Sequence, residues 1–137
     1  MRVCWYQLQV AIEDDIVQKN GIVIIAGHPR RPTTLADQDR KLDSILLRNM
    51  RYAIPIKLVA VHHVTSAKLL EYLVPVLIAF IGPTMRKRYV PHAGSEWKFL
   101  KELQEYGING GILPLNMGGK LDFNYSAWLE YRRSRGL

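Results

Sequence analysis

Three rhythms of apolar and polar residues run along the chain, and each predicts an element. From Val3 to Gln18 apolar and acidic positions mix at helical spacing, with Val3, Tyr6, Val10 and Val17 near one stripe. The spacing predicts one helix, stopped by Asn20-Gly21. Ile22 to Ala26 is an unbroken and mostly β-branched run, which predicts a strand covered on both faces and placed centrally in a sheet. Gly27 to Asp37 is rich in Pro and Gly and reads as a loop. Leu42, Ile45, Leu46 and Met50 recur at three- and four-residue steps, giving an amphipathic helix over Asp39 to Met50. Pro55 turns the chain into a second strand, Ile56 to His62.

A strand, a helix and a strand in this order predict a right-handed crossover. The fold class is therefore α/β, a mostly parallel sheet floor covered by helices. Ser66 to Ile81 reads as a long helix, apolar on nearly every side and kinked at Pro75. Two arrangements fit it: a core helix packed on the sheet, or a cover facing a ligand or membrane. After Gly82-Pro83 come the cations Arg86, Lys87 and Arg88, then the short extended piece Tyr89 to His92. Ser95 is a good N-cap for a helix through Tyr106, with Trp97, Leu100 and Leu103 expected on one side. A turn-rich segment, Ile112 to Gly119, precedes a terminal helix from about Asn124 that ends in Arg132-Arg133-Ser134-Arg135. The chain carries no internal repeat or low-complexity linker.

Composition narrows the partners. At 137 residues and 48% hydrophobic, the chain is long enough for one domain with its own core. The net charge of +7 favours something anionic: nucleic acid, an acidic protein or an anionic membrane. Aromatic residues are not interleaved with the Arg and Lys groups in sequence, so nucleic acid ranks last. The single cysteine, Cys4, forms no internal disulfide, which fits a reducing, cytoplasmic setting. No signal peptide is evident, and the run from Leu69 to Gly82 falls short of the roughly 20 apolar residues that cross a bilayer.

Catalytic chemistry is not legible. His28, His62, His63 and His92 show no metal-ligand spacing with one another or with Cys4, and His62-His63 on a strand should point to opposite faces. There is no Gly-x-Ser-x-Gly elbow and no phosphate-cradling loop. Asp14-Asp15 and Asp37-Asp39 sit at element ends, where solvated caps explain them. The expectation is a protein that is not an enzyme and holds neither metal nor cofactor.

Several segments, in order, resemble the CRAL-TRIO family of retinaldehyde-, tocopherol- and phosphatidylinositol-transfer proteins. The most specific is Ile112-Leu113-Pro114-Leu115-Asn116-Met117-Gly118-Gly119, which resembles the family's closing Leu-Pro followed after three residues by Gly-Gly. Leu8 to Val23 resembles its middle helix and strand, and Ala53 to His62 its second central strand. Gly82-Pro83-Thr84-Met85-Arg86-Lys87-Arg88 resembles the turn after its gate helix, and His92-Ala93-Gly94 stands where the family often has His-Gly or Leu-Gly. Thr65-Ser66-Ala67 stands where the family has Asn-x-Pro. Ile56 replaces the acidic residue that phosphatidylinositol carriers place after the strand-opening proline.

The resemblance implies one lipid-binding domain over residues 1–137, lacking the family's N-terminal helical lobe and first strand. That lobe would be a partner supplied from outside this chain. It also implies a mobile gate helix over Ser66 to Ile81, with Leu70, Leu73, Leu77 and Phe80 as ligand contacts. Ile22, Ile24, Leu58, Ala60 and His62, one parity of the two strands, are the expected floor. Arg86, Lys87 and Arg88 are expected to hold lipid phosphate and dock the protein peripherally on an anionic membrane, the solvated-surface reading of such a run standing beside this one. The function implied is carriage of a hydrophobic lipid; an adaptor module with a vestigial cavity is the alternative.

Overall fold

A computed structural model describes residues 2–27, 55, 57–64, 71 and 83–135. The segments expected to form the helices over 39–50 and 66–81 lie outside the described residues, save for helical, exposed Glu71. The described chain is α/β, a three-stranded parallel sheet with five helices. Contacts group it into two compact units, Met1–Gly94 and Ser95–Leu137.

In the first unit, the single helix expected over Val3 to Gln18 is two: α1, Arg2–Ile12, and α2, Asp15–Asn20. The break has a local cause. Asp14 adopts an extended backbone, and its carboxylate accepts the Ile16 N–H at 2.7 Å, capping α2. An Asp at this point competes with helix continuation by binding a nearby backbone donor. Helix α2 ends where the Gly21 N–H donates to the Val17 carbonyl at 2.8 Å.

Strand β1, Ile22–Ala26, then pairs in parallel with β2, Leu58–Val64, which pairs in parallel with β3, Tyr89–His92. The central placement expected for β1 is not what the described strands show, whose order is β1-β2-β3. Among the described strands β2 is the middle one. Leu58, Val61, His62 and Val64 of β2 are buried, whereas in β1 no residue is fully buried and Val23 is exposed. A continuous apolar run is consistent with central placement but does not impose it, because burial depends on what packs on each face.

The second unit begins with helix α4, Glu96–Glu105; the short helix α3, Pro83–Arg86, precedes β3 in the first unit. Ser95 caps α4 by accepting the Lys98 N–H at 3.3 Å. Its buried residues are Phe99 and Leu103, one i,i+4 step apart. Trp97 does not share their face as the spacing suggested. It is 70% exposed, with the Lys101 ammonium over its ring at 5.4 Å. A 3₁₀ turn, Leu115–Met117, follows, then helix α5, Tyr125–Ser134, capped by Asn124, whose side chain accepts the Ala127 N–H at 2.9 Å. Arg132 and Arg133 fall in its last turn, where cations favour the macrodipole. Phe99, Leu103 and Leu113 are this unit's buried apolar residues.

Candidate functional site: the histidine pairs and the floor of the sheet

Consecutive residues of a strand face opposite sides of the sheet, so His62 and His63 at the carboxyl end of β2 serve two different faces. The register pairs His62 with Val90 and Val64 with His92, placing His62 and His92 on one face. There Nδ1 of His62 and Nε2 of His92 share a hydrogen bond of 2.9 Å, and the rings stack at 5.1 Å between centroids, 20° from parallel. Both are buried, at 1% and 2% exposure. On the other face Nδ1 of His63 and the Tyr89 hydroxyl share a hydrogen bond of 2.5 Å, with the rings edge-on.

Burial shifts the titration of His62 and Tyr89. Desolvation first, and the neighbouring His92 second, hold the His62 imidazole below its ordinary value of 6.5. Charging it would place a cation in a dry site beside another imidazole. Burial likewise pushes the Tyr89 phenol up to about 12, so its O–H stays available to donate to His63. A buried hydrogen-bonded imidazole pair can fix two strands together. Sequence reasoning treated these histidines as unrelated, because 30 residues separate His62 from His92 and only the parallel register joins them. Two nitrogen donors do not make up a metal site by themselves, and no group of three His, Cys, Asp or Glu able to hold a metal occurs among the described residues.

The expected lipid floor divides between the two faces. A register shift between Ile22 and Val23 brings Ile22 beside Leu58 but Val23 beside Ala60, Ile24 beside Val61 and Ile25 beside His62. Paired residues of neighbouring strands share a face, so Ile24 lies with Val61 while Ala60 and His62 lie with Val23 and Ile25. Ile22, Ile24, Leu58, Ala60 and His62 therefore do not form the single-parity surface expected of them. The bulge is the reason, since one extra residue in β2 exchanges the faces. Leu58 and His62 are buried; Ile22, Ile24 and Ala60 are half-buried. Leu70, Leu73, Leu77 and Phe80 lie outside the described residues.

Of the basic cluster, Arg86 closes α3 and is exposed, Lys87 is exposed in the following turn, and Arg88 is half-buried. The Arg88 carbonyl accepts the Val61 N–H at 2.8 Å, so the backbone of this turn continues the sheet ladder while its first two cations stay in water. Arg88 and His92 are four steps apart on an extended chain, roughly 13 Å. The cations and the buried histidine pair therefore occupy different levels of β3.

The Leu-Pro-x-x-x-Gly-Gly segment folds back on itself. Leu113 is buried, the Leu121 N–H donates to the Leu113 carbonyl at 2.9 Å, and the Leu115 N–H donates to the Leu121 carbonyl at 3.0 Å. Gly118 ends the 3₁₀ turn with φ of 83°, a left-handed conformation that favours glycine. A Cβ on Gly119 would stand 1.9 Å from the Leu113 carbonyl oxygen, so only glycine lets the two strands of the turn meet. The spacing in the sequence thus has a structural cause, a tight return that pins Leu113 inside.

No helix among the described residues is long and apolar enough to cross a membrane. Comparisons of the chain with protein-family models, curated proteins and solved structures find no match.

Proposed function

We propose that this protein binds one hydrophobic lipid and exchanges it at an anionic membrane surface, the function implied by its resemblance to CRAL-TRIO proteins. The observation that carries the reading is the exposure of Arg86 and Lys87 immediately after the most apolar run of the sequence, Leu69 to Gly82. An apolar segment beside exposed cations suits a contact that gains both from burial of hydrocarbon and from phosphate attraction, which a bilayer offers together. The parallel sheet supports it as a floor, with Val61 buried on one face of its middle strand and His62 and Val64 buried on the other. The bulged register means that such a floor would use different residues on each strand: Ile25 with His62, or Ile24 with Val61.

Lipid transfer between vesicles tests this reading. Replacing Arg86, Lys87 and Arg88 together by alanine should slow transfer from phosphatidylserine-containing vesicles at low salt and leave transfer from neutral vesicles nearly unchanged. Equal rates for the variant and the parent protein on both vesicle types would reject the docking role.

A second reading, a protein-interaction module with a vestigial cavity, draws support from a different observation. Of the eleven exposed large apolar side chains among the described residues, Trp97, Tyr106, Ile112, Leu115, Leu121, Phe123, Tyr125 and Tyr131 belong to the second unit. Exposed apolar residues in that number suit burial against another molecule, be it a protein or a membrane.

A further inference from the structure

The exposed apolar residues of the second unit follow one another along a short path. Leu115 and Leu121 are tied by the N–H to carbonyl bond between their own backbones and are 54% and 40% exposed; Ile112 is 61% exposed. Phe123 and Tyr125 continue the path at 49% and 41%, and with Trp128 they form an aromatic cluster whose ring centroids stand 5.6 to 6.4 Å apart. The Asn124 cap fixes this cluster, because it starts α5 between Phe123 and Tyr125. At a helical turn of 100° per residue, Tyr125, Trp128, Tyr131 and Arg135 fall within one half of the α5 circumference.

Charge follows the same division. Arg135 donates to the Tyr131 hydroxyl at 2.6 Å and lies over that ring at 5.6 Å from its centroid, so a cation is held against the aromatic edge. Lys120 is exposed at the other end of the path. Glu130 falls on the opposite side of α5, and Asp122 is the one acidic residue between Lys120 and Phe123.

We propose that this surface, Leu115, Leu121, Phe123 and Tyr125 flanked by Lys120 and Arg135, is a membrane-contact site for an anionic phospholipid bilayer. Aromatic side chains with a polar tip sit at the headgroup level, aliphatic ones reach the acyl boundary, and cations at the rim meet phosphate. Nucleic acid would stack on the aromatic rings but would leave Ile112, Leu115 and Leu121 in water, whereas a bilayer buries all of them. The site does not depend on a lipid cavity. It lies in a different unit from Arg86 and Lys87 and would bind vesicles whether or not the protein carries lipid.

Co-sedimentation of the full chain with vesicles tests it. The parent protein should bind phosphatidylserine-containing phosphatidylcholine vesicles, and Leu121→Ser with Phe123→Ser should weaken that binding about tenfold or more. Lys120→Gln with Arg135→Gln should weaken binding to the anionic vesicles more than to pure phosphatidylcholine. Circular dichroism matching the parent shows that the variants fold, and Phe123→Trp should bind as tightly as the parent or more tightly. Unchanged affinity in the folded serine variant overturns the proposal, as does a parent protein that ignores vesicles, whether or not it binds a single-stranded oligonucleotide. Loss in the serine variant with lipid transfer cargo retained separates this site from the carrier reading.

Discussion

The two units place their unusual residues in opposite ways. In the sheet of the first unit polar groups are inside: His62 and His92 are buried, and each meets the other's ring nitrogen. In the second unit apolar groups are outside, among them Ile112, Leu121, Phe123 and Tyr131, while Arg132 is buried. A buried imidazole pair costs desolvation that its hydrogen bond offsets, so it chiefly fixes register. The exposed part of an aromatic and aliphatic surface gains little in the isolated molecule and more when something covers it. The contrast separates residues that hold the fold from residues free to meet a partner.

That contrast can be broken most severely from the core of the second unit. Leu103 is fully buried, and Leu103→Ala should lower unfolding stability by about 3 kcal/mol, read from urea denaturation. A loss below about 1 kcal/mol would mean that α4 is not anchored by that side chain. In the sheet, His92→Ala removes the partner of the His62 Nδ1, and a cost of about 2 kcal/mol is expected at neutral pH. By contrast, serine at Ile112 should change stability by no more than about 0.5 kcal/mol, because that side chain is 61% exposed.

The pH dependence sharpens the same distinction with a smaller effect. His62 is held below 6.5 in the folded chain, so as pH falls the unfolded chain takes up that proton first. The stability tied to neutral His62 is complete above 6.5 and is lost as pH falls below that value, with a slope of at most about 1.4 kcal/mol per pH unit from this group. His62→Gln should flatten that part of the stability profile. Tyr89 acts at the other extreme: its contribution is complete below 10.0 and is lost as pH rises toward about 12.

Local rules were legible where local chemistry decides. The run Ile22–Ala26, the extended piece Tyr89–His92, the Ser95 cap and the start of the terminal helix near Asn124 stand where the sequence places them, since each rests on a few adjacent residues. The second strand runs two residues further than expected, to Val64, because its hydrogen-bonding partner β3 reaches that far. The break at Asp14 escaped a reading by apolar spacing, which does not register a carboxylate competing for the Ile16 N–H. The floor residues were misaligned for a similar reason. Parity counts within one strand cannot foresee a bulge between Ile22 and Val23. The histidine pair needed the register of β2 on β3, which is a long-range property, although histidine at the end of two separate strand-like runs was a usable signal.

Whether this chain carries lipid is decided most directly by native mass spectrometry of the full-length protein purified without detergent. The account predicts a population heavier than the polypeptide by the mass of one lipid, released as a hydrophobic molecule on organic extraction. A folded protein whose mass is that of the polypeptide alone, and which takes up no lipid when mixed with vesicles, would contradict it.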